Sequence, residues 1–452
     1  MMAGEETHVS SAPTMLFLSI VIGATILVLA WLIRLSRSQT SNTAEKQSKP
    51  KRKEPQAAKK PPPPKPQKQS KAQKKPAVTQ YTHQELITTL KGHTGSITGG
   101  SFSSDGKHFK TAADDRTVLI WNADQFTQRE HKSVRGNIEF DYATHIRWMP
   151  NSKGFTIFKK MENTIAIYKV SKTSSGMIGN AQEFSNFPKQ EDEIADIITF
   201  DVAVTGNIIM TCNSKNQIVI WNFKGEVLEQ FDTRHGDTYS ATLSPCGRFI
   251  ATTGFTPDAK VWRLKLGASD SFEGVKRAYD LTGHKASIYS CSMNADCTRM
   301  VTVSKDGTWK LFDTDIEFEK GQRPYQLLTI PYDGADQKVM IRMSPDGRTV
   351  LLAVQANLTF YSAITGEKLN VINDIYGGDI IDVMFDPTSK QVVTLGDRHA
   401  RVFHNVAGYI AAVQDLEQCL KKSTNSAMSE RIKKQIKEAK AVLAGVKKSI
   451  EG

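Results

Sequence analysis

A hydroxyl, an imidazole and a carboxylate lie close together in the chain at Thr111, His93 and Asp115. Those three types can act as nucleophile, general base and orienting acid in acyl transfer. The same set returns as His284, Thr302 and Asp306, with His-to-Thr and His-to-Asp separations of 18 and 22 residues both times. An active site has no reason to be written twice at one spacing, whereas a structural repeat does. Catalysis is therefore not expected, and no phosphate loop, zinc-protease helix or nucleophile elbow accompanies the set. No cofactor or metal is expected either. Cys212, Cys246, Cys291, Cys297 and Cys419 are scattered without zinc spacing. Asp114-Asp115 and Glu191-Asp192-Glu193 read as acidic loop clusters rather than metal sites. Few cysteines, odd in number, suit a reducing compartment rather than a disulfide framework.

The elements that would position these residues recur from residue 81 onward. Seven turn clusters end at Gly106, Gly154, Gly206, Gly247, Cys297, Gly347 and Ser389. Each is followed 14 or 15 positions later by an aromatic that closes an alternating strand: Trp121, Tyr168, Trp221, Trp262, Phe312, Tyr361 and Phe403. The aromatics are 47, 53, 41, 50, 49 and 42 residues apart, the period of a four-stranded propeller blade with a variable loop. Gly92-His93 and Gly283-His284 open the first and fifth repeats, each His 28 residues before its aromatic. Asp115, Asp306 and Asp397 lie six positions before theirs, where a short turn favours a carboxylate that accepts local backbone N–H groups.

These are WD-repeat features, and they predict an all-β, seven-bladed WD40 β-propeller over residues 81–406. His93, Thr111, Asp115 and Trp121 are expected to form a buried hydrogen-bonded tetrad with the indole N–H as terminal donor. His284, Thr302, Asp306 and Phe312 form a partial one, because phenylalanine has no donor. Blades two, three, four and six lack the aspartate and are expected to rely on packing. Glu85–Leu90 would supply the outer strand of the last blade, closing the ring and removing exposed sheet edges.

The net charge of +12 suggests nucleic acid until it is mapped. Residues 34–80 carry 14 Lys/Arg against Glu45 and Glu54, while residues 81–406 sum to −2. The basicity thus belongs to a Lys/Pro-rich linker, 34–80, that cannot bury enough apolar surface to order itself. Lys49, Lys51, Arg52, Lys53, Lys59 and Lys60 are its candidate contacts, whether with anionic lipid, with RNA or a ribosome, or with solvent alone. Before it, 15–33 is an uncharged apolar run long enough to span a bilayer, preceded by a short segment, 1–14. Acids where a signal peptide needs bases argue for an uncleaved transmembrane helix. The positive flank then puts everything after Arg34 in the cytosol. The sequon at Asn357 would matter only under the opposite topology.

Residues 407–452 carry no repeat. Tyr409, Val413, Leu416 and Leu420 fall at helical spacing, Lys421–Asn425 interrupts, and Ile432, Ile436, Ala439, Leu443 and Val446 follow as a narrow apolar seam. A helical hairpin is expected, lying either on the propeller's flank or against a partner or second copy; the oligomeric state stays open.

Several strings go beyond generic repeats: ADDRT (113–117) with IW (120–121), QREH (128–131), SPCGRF (244–249), GFTPD (254–258) with KVW (260–262), SKDGTWKL (304–311), DTD (313–315), GDR (396–398) and FHN (403–405). With the anchor, linker and tail in the same places, the whole chain resembles the transducin beta-like WD-repeat proteins of the endoplasmic reticulum. The resemblance implies a non-enzymatic, cytosol-facing scaffold on the endoplasmic-reticulum membrane. It also implies protein partners, with a role in the unfolded-protein response and stress translation through a membrane kinase of an initiation factor. Direct RNA or ribosome binding through the linker is the alternative.

Overall fold

The computed structural model describes residues 81–451 except 129, 173–177, 189–195 and 206. The expected segment 1–14, anchor 15–33 and linker 34–80, with Lys49, Lys51, Arg52, Lys53, Lys59 and Lys60, lie outside the described residues. Among the described residues no helix is long and apolar enough to cross a membrane.

Seven four-stranded antiparallel sheets follow one another along the chain. In blade one the strands are Ile97–Phe102, His108–Ala113, Thr117–Asn122 and Ser133–Asn137, ordered from the axis outward. Burial follows from that order. The two middle strands are covered by neighbouring blades on both faces, so they read as apolar runs rather than alternations; Ile208–Asn213 of blade three is buried at every position. Outer strands face solvent, as in Val227–Asp232. The packing between blades even takes in Lys110, which is fully buried with its Nζ 4.3 Å from the Trp148 ring and 4.5 Å from Phe155, and burial pushes its amine well below the ordinary lysine range.

Ring closure uses the chain's beginning. Leu86–Lys91 pairs with His399–His404 and completes blade seven. Glu85 lies just before this strand, its carboxylate accepting from the Asn370 side-chain amide at 2.8 Å. Burial pushes the Glu85 carboxyl up to about 7 against that hydrogen bond.

Helix α1 (Val406–Lys422) follows blade seven directly, capped by the Asn405 side chain, which accepts from Gly408 N–H. Lys421 and Lys422 occupy its last turn, where cations complement the helix dipole. Ser423–Asn425 breaks the chain and α2 (Ser426–Glu451) turns back. α1 docks on blade six: Arg348 Nε is 3.0 Å from Asp415 Oδ2, and the Gln414 amide donates to Glu367 at 2.9 Å. The seam of α2 begins at buried Ile432, and Lys440 pairs with Glu417 of α1 at 2.8 Å. Of the two placements left open by the sequence, α1 takes the propeller's flank.

Candidate protein-interaction face

One end of the propeller carries the loops that precede each innermost strand and the turns between second and third strands. In blade one this end holds the His–Thr–Asp set. His93 Nε2 lies 2.8 Å from Thr111 Oγ1, which also accepts from the Trp121 indole N–H at 3.2 Å. His93 Nδ1 is 3.3 Å from the Asp115 carboxylate. That carboxylate accepts in addition from the backbone N–H of Thr94 at 2.8 Å and of Thr117 at 3.1 Å. Burial alone would raise the Asp115 carboxyl, but the Thr117 hydroxyl, the Thr94 N–H and His93 outweigh it and hold it at about 2. Thr111 is 1% exposed and its oxygen is already engaged, so it meets no substrate. The geometry is a strut between strands, not a nucleophile with its base.

Blade five repeats the strut: His284 Nε2 to Thr302 Oγ1 at 2.8 Å and Nδ1 to Asp306 at 2.9 Å, with Phe312 packed among Cys291, Met293 and Met300 in place of an indole donor. Asp397 differs from its two counterparts. It takes a positive φ, and its backbone carbonyl accepts from Ile97 N–H, linking blade seven to blade one.

The expectation that blades three and four rely on packing alone does not hold. In blade four His235, 1% exposed, bonds Thr252 Oγ1 at 2.9 Å through Nε2 and Thr256 Oγ1 at 2.6 Å through Nδ1, and the Trp262 indole donates to Thr252 at 3.3 Å. A threonine hydroxyl stands where blades one and five have a carboxylate, and Lys260 Nζ lies 3.4 Å from His235 Nδ1. Blade three keeps the inner half of the network, with the Trp221 indole donating to Thr211 at 3.1 Å. His235 escapes the sequence pattern because Arg234 precedes it instead of glycine and it lies 27, not 28, residues before its aromatic. The available signal was Thr252, ten positions before Trp262 as Thr111 is before Trp121.

The same end holds the mouth of the central channel, a cavity of about 400 Å³ lined by all seven innermost strands. In the first five blades that strand carries a register shift one residue in, next to Thr98, Thr144, Ile198, Tyr239 and Tyr289. An extra residue in a strand bends it and re-aims a side chain; all five line the cavity. Tyr239 and Tyr289 stack at 6.2 Å between centroids. Two cations of the channel are already matched: Arg147 with Asp201 at 3.0 Å and Arg342 with Asp382 at 2.8 Å, each pair spanning two blades. Burial, with Arg147 beside it, pulls His145 down to about 4, so it adds no charge at neutral pH. Around the mouth, large apolar side chains stand in water: Phe140 is 85% exposed, Met161 72% and Phe255 65%. Phe140 also takes a positive φ, unusual for a bulky residue. Among the described residues no group of three or more His, Cys, Asp or Glu could hold a metal ion.

A WD domain, G-beta repeat model matches residues 84–122 and 275–313, which span the His–Asp struts of blades one and five. Mouse transducin beta-like protein 2 (Mus musculus) is 36% identical over 437 residues, covering 95% of this chain and 97% of that protein. Its human counterpart (Homo sapiens) is 38% identical over 371 residues, covering 82% and 83%. Rat apoptotic protease-activating factor 1 (Rattus norvegicus) is 20% identical over 345 residues, covering 69% of this chain and 26% of that protein.

Proposed function

Since the chain belongs to the transducin beta-like protein 2 family of WD-repeat propellers, we propose that it works as a non-enzymatic scaffold tethered to the endoplasmic-reticulum membrane, gathering protein partners on a cytosolic propeller. The observation that carries this reading is the face around the channel mouth. Phe140, Met161 and Phe255 offer exposed apolar anchors there, while the nearby His–Thr–Asp sets are buried in structural use. Exposed aromatic and methionine side chains on a rigid frame are what central anchors of protein interfaces are made of. The uncharged run 15–33 and the bases that follow it support the tether and its orientation. Asn357, the one sequon, lies in a strand with its side-chain carbonyl accepting from Asp374 N–H at 3.0 Å. The resemblance extends the proposal to the unfolded-protein response and stress translation, with a membrane kinase of an initiation factor as partner.

The direct test is protease digestion of intact microsomes carrying the full chain with a C-terminal tag. Loss of the tag without detergent is expected; protection would place the propeller in the lumen and end the cytosolic reading. On the cytosolic side, replacing Phe140, Met161 and Phe255 together by serine should release co-purifying proteins while the chain stays on the membrane.

A second reading, direct RNA or ribosome binding, is favoured by the 14 Lys/Arg of residues 34–80. It requires binding that falls steeply with salt and disappears when residues 44–76 are deleted. Ribonucleoprotein retained at high salt by the deleted chain would reject it.

A further inference from the structure

Helix α2 packs chiefly on α1 and leaves most of its surface in water. Its seam is buried at Ile432 and half-buried at Ile436, Ala439, Leu443 and Val446, so these apolar residues are already taken up within the hairpin. The rest of the helix is basic. Seven Lys/Arg against Glu430, Glu438 and Glu451 give a net +4 over 26 residues. The charges are also sorted by face: at 3.6 residues per turn Lys433, Lys434, Lys437, Lys440, Lys447 and Lys448 fall within an arc of about 140°. All six are exposed. Between Glu430, which pairs with Lys433 at 3.0 Å, and Glu451, the last residue of the helix, no acid enters this arc; Glu438 and Arg431 stand on the other flank. Lys437 has a like charge three or four residues away at Lys433, Lys434 and Lys440. Such spacing weakens a helix by itself, and an external counter-charge relieves it.

The hairpin also has a fixed place on the propeller. The Lys440–Glu417 pair sets the register of the two helices. Eleven residues back from Glu417 is Val406, the start of α1, and eleven on from Lys440 is Glu451, the end of α2. The last turns of α2 therefore come level with the start of α1. His404, two residues before Val406, donates its N–H to Glu85 O at 2.9 Å. The residues by which the chain enters the ring and the end of α2 thus lie on one side of the propeller. On blade six α1 is held by Arg348, in the turn between first and second strands, and by Glu367, in the turn between third and fourth. Both turns are at the end opposite the channel mouth.

We infer that the lysine face of α2 is a second membrane contact, binding the anionic lipid headgroups of the bilayer that holds the chain; the inference rests on the tethered reading above. No described helix is long and apolar enough to cross a bilayer, and the seam of α2 is engaged by α1. The helix therefore lies on the headgroups by charge, as polybasic segments beside a membrane anchor do. Ala441 and Ala444 stand among the lysines, so the backbone can approach a surface closely while the lysine stems lean aside and keep their ammonium groups at phosphate level. A nucleic acid is served less well. The helix has no aromatic side chain on which a base could stack. Its one arginine, whose planar fork grips phosphate with two N–H groups, is on the other flank. Contact through α2 turns the end opposite the channel mouth toward the bilayer. Phe140, Met161 and Phe255 are then left facing away from the membrane, open to partners.

The test is lysine footprinting of the full chain reconstituted into vesicles of phosphatidylcholine alone or with about a third phosphatidylserine. Flotation with phosphatidylcholine vesicles reads the anchor and not α2, so failure of the tethered reading is seen separately. A membrane-impermeant acetylating reagent is then applied and the peptides are mapped, with exposed Lys285 and Lys305 at the channel mouth as reference. With phosphatidylserine, acetylation of the six α2 lysines should fall several-fold against that reference. It should return at about 1 M salt, where the Debye length is about 3 Å. In the chain carrying K434Q, K437Q and K448Q, all exposed positions off the seam, Lys433 and Lys447 should lose most of the protection; the footprint of the unaltered chain does not depend on how this variant folds. Protection in a chain that does not float with phosphatidylcholine would keep the lipid contact and remove the anchor. Equal acetylation in the two kinds of vesicle would overturn the proposal, whether or not the chain floats. So would protection by added polyuridylate with none from phosphatidylserine, which assigns the face to RNA.

Discussion

Blades one and four fasten the same three strands with the same histidine–threonine–tryptophan core, yet they finish the network with opposite charge. In blade one the imidazole Nδ1 faces the Asp115 carboxylate, and two backbone N–H groups converge on the same oxygens. In blade four it faces the Thr256 hydroxyl at 2.6 Å, with the Lys260 ammonium 3.4 Å away. The carboxylate therefore collects backbone donors as well as the imidazole, while the hydroxyl, which also donates to Asp258 O at 3.2 Å and accepts from Lys260 Nζ at 3.4 Å, brings no charge to offset the cation beside a buried histidine. Blade one should be the sturdier and blade four the more sensitive to mild acid. That difference can be broken from either side.

The largest effect should come from Asp115→Ala. It strips acceptors from Thr94 N–H, Thr117 N–H and His93 together, and Thr117 is buried. Leaving buried donors unmade costs more than the bonds contribute, so a loss of about 3 kcal/mol in denaturant-induced unfolding is expected. Thr256→Val, which removes one acceptor in blade four, should cost about a third of that. Equal costs would mean that the carboxylate is no better a finish than the hydroxyl.

Acid should separate the blades next. Burial, aided by Lys260, pulls His235 down to about 4 from its ordinary 6.5. Between those values the unfolded chain takes up a proton that the folded chain refuses, so stability falls as pH drops from about 6.5 toward 4. The contribution is about 3 kcal/mol. Asp115, held at about 2 against an ordinary 3.8, has its window lower: its stabilisation is complete above 3.8 and is lost as pH falls through 2. Unfolding measured from pH 7 to 4 should show the upper slope in the Asp115→Ala chain and a weakened one in His235→Asn. A slope unchanged by His235→Asn would remove blade four as its source.

Trp121→Phe converts blade one into the state blade five already has at Phe312. Thr111 then keeps His93 but loses the indole donor, and a loss of about 1 kcal/mol is expected, read by the same denaturation. The matching change Trp262→Phe should cost a similar amount, because the indole bond in blade four is of like length. A large disparity would show that the inner halves of the two networks are not equivalent.

The contrast between these blades also marks what a sequence discloses. Period and turn chemistry were enough for seven blades and for the His93 and His284 struts, because each repeats at fixed spacing, whereas the closing strand, expected over Glu85–Leu90 from its place in WD-repeat relatives, runs from Leu86 to Lys91. His235 was hidden by a one-residue shift in spacing and by a threonine in the aspartate's place. The residues ringing the channel mouth were hidden for a different reason. A bulge in the innermost strand is a property of backbone pairing, so nothing in the identities of Thr98, Thr144 or Ile198 announces that they share a rim.

The finest test bears on the cation alone. Lys260→Met keeps the length and apolar body of the side chain while removing the charge that opposes protonation of His235. Burial remains the main cause of the depressed value, so His235 should still titrate below its ordinary range, but higher than in the unaltered chain by less than about one pH unit. His93, whose imidazole is opposed mainly by burial and supported by Asp115, belongs to another blade and should not move. Following both imidazoles by NMR through the pH range separates the two causes. A rise at His235 alone assigns the difference between the blades to charge, whereas no rise assigns it to burial and reduces Lys260 to a donor for the Arg234 carbonyl.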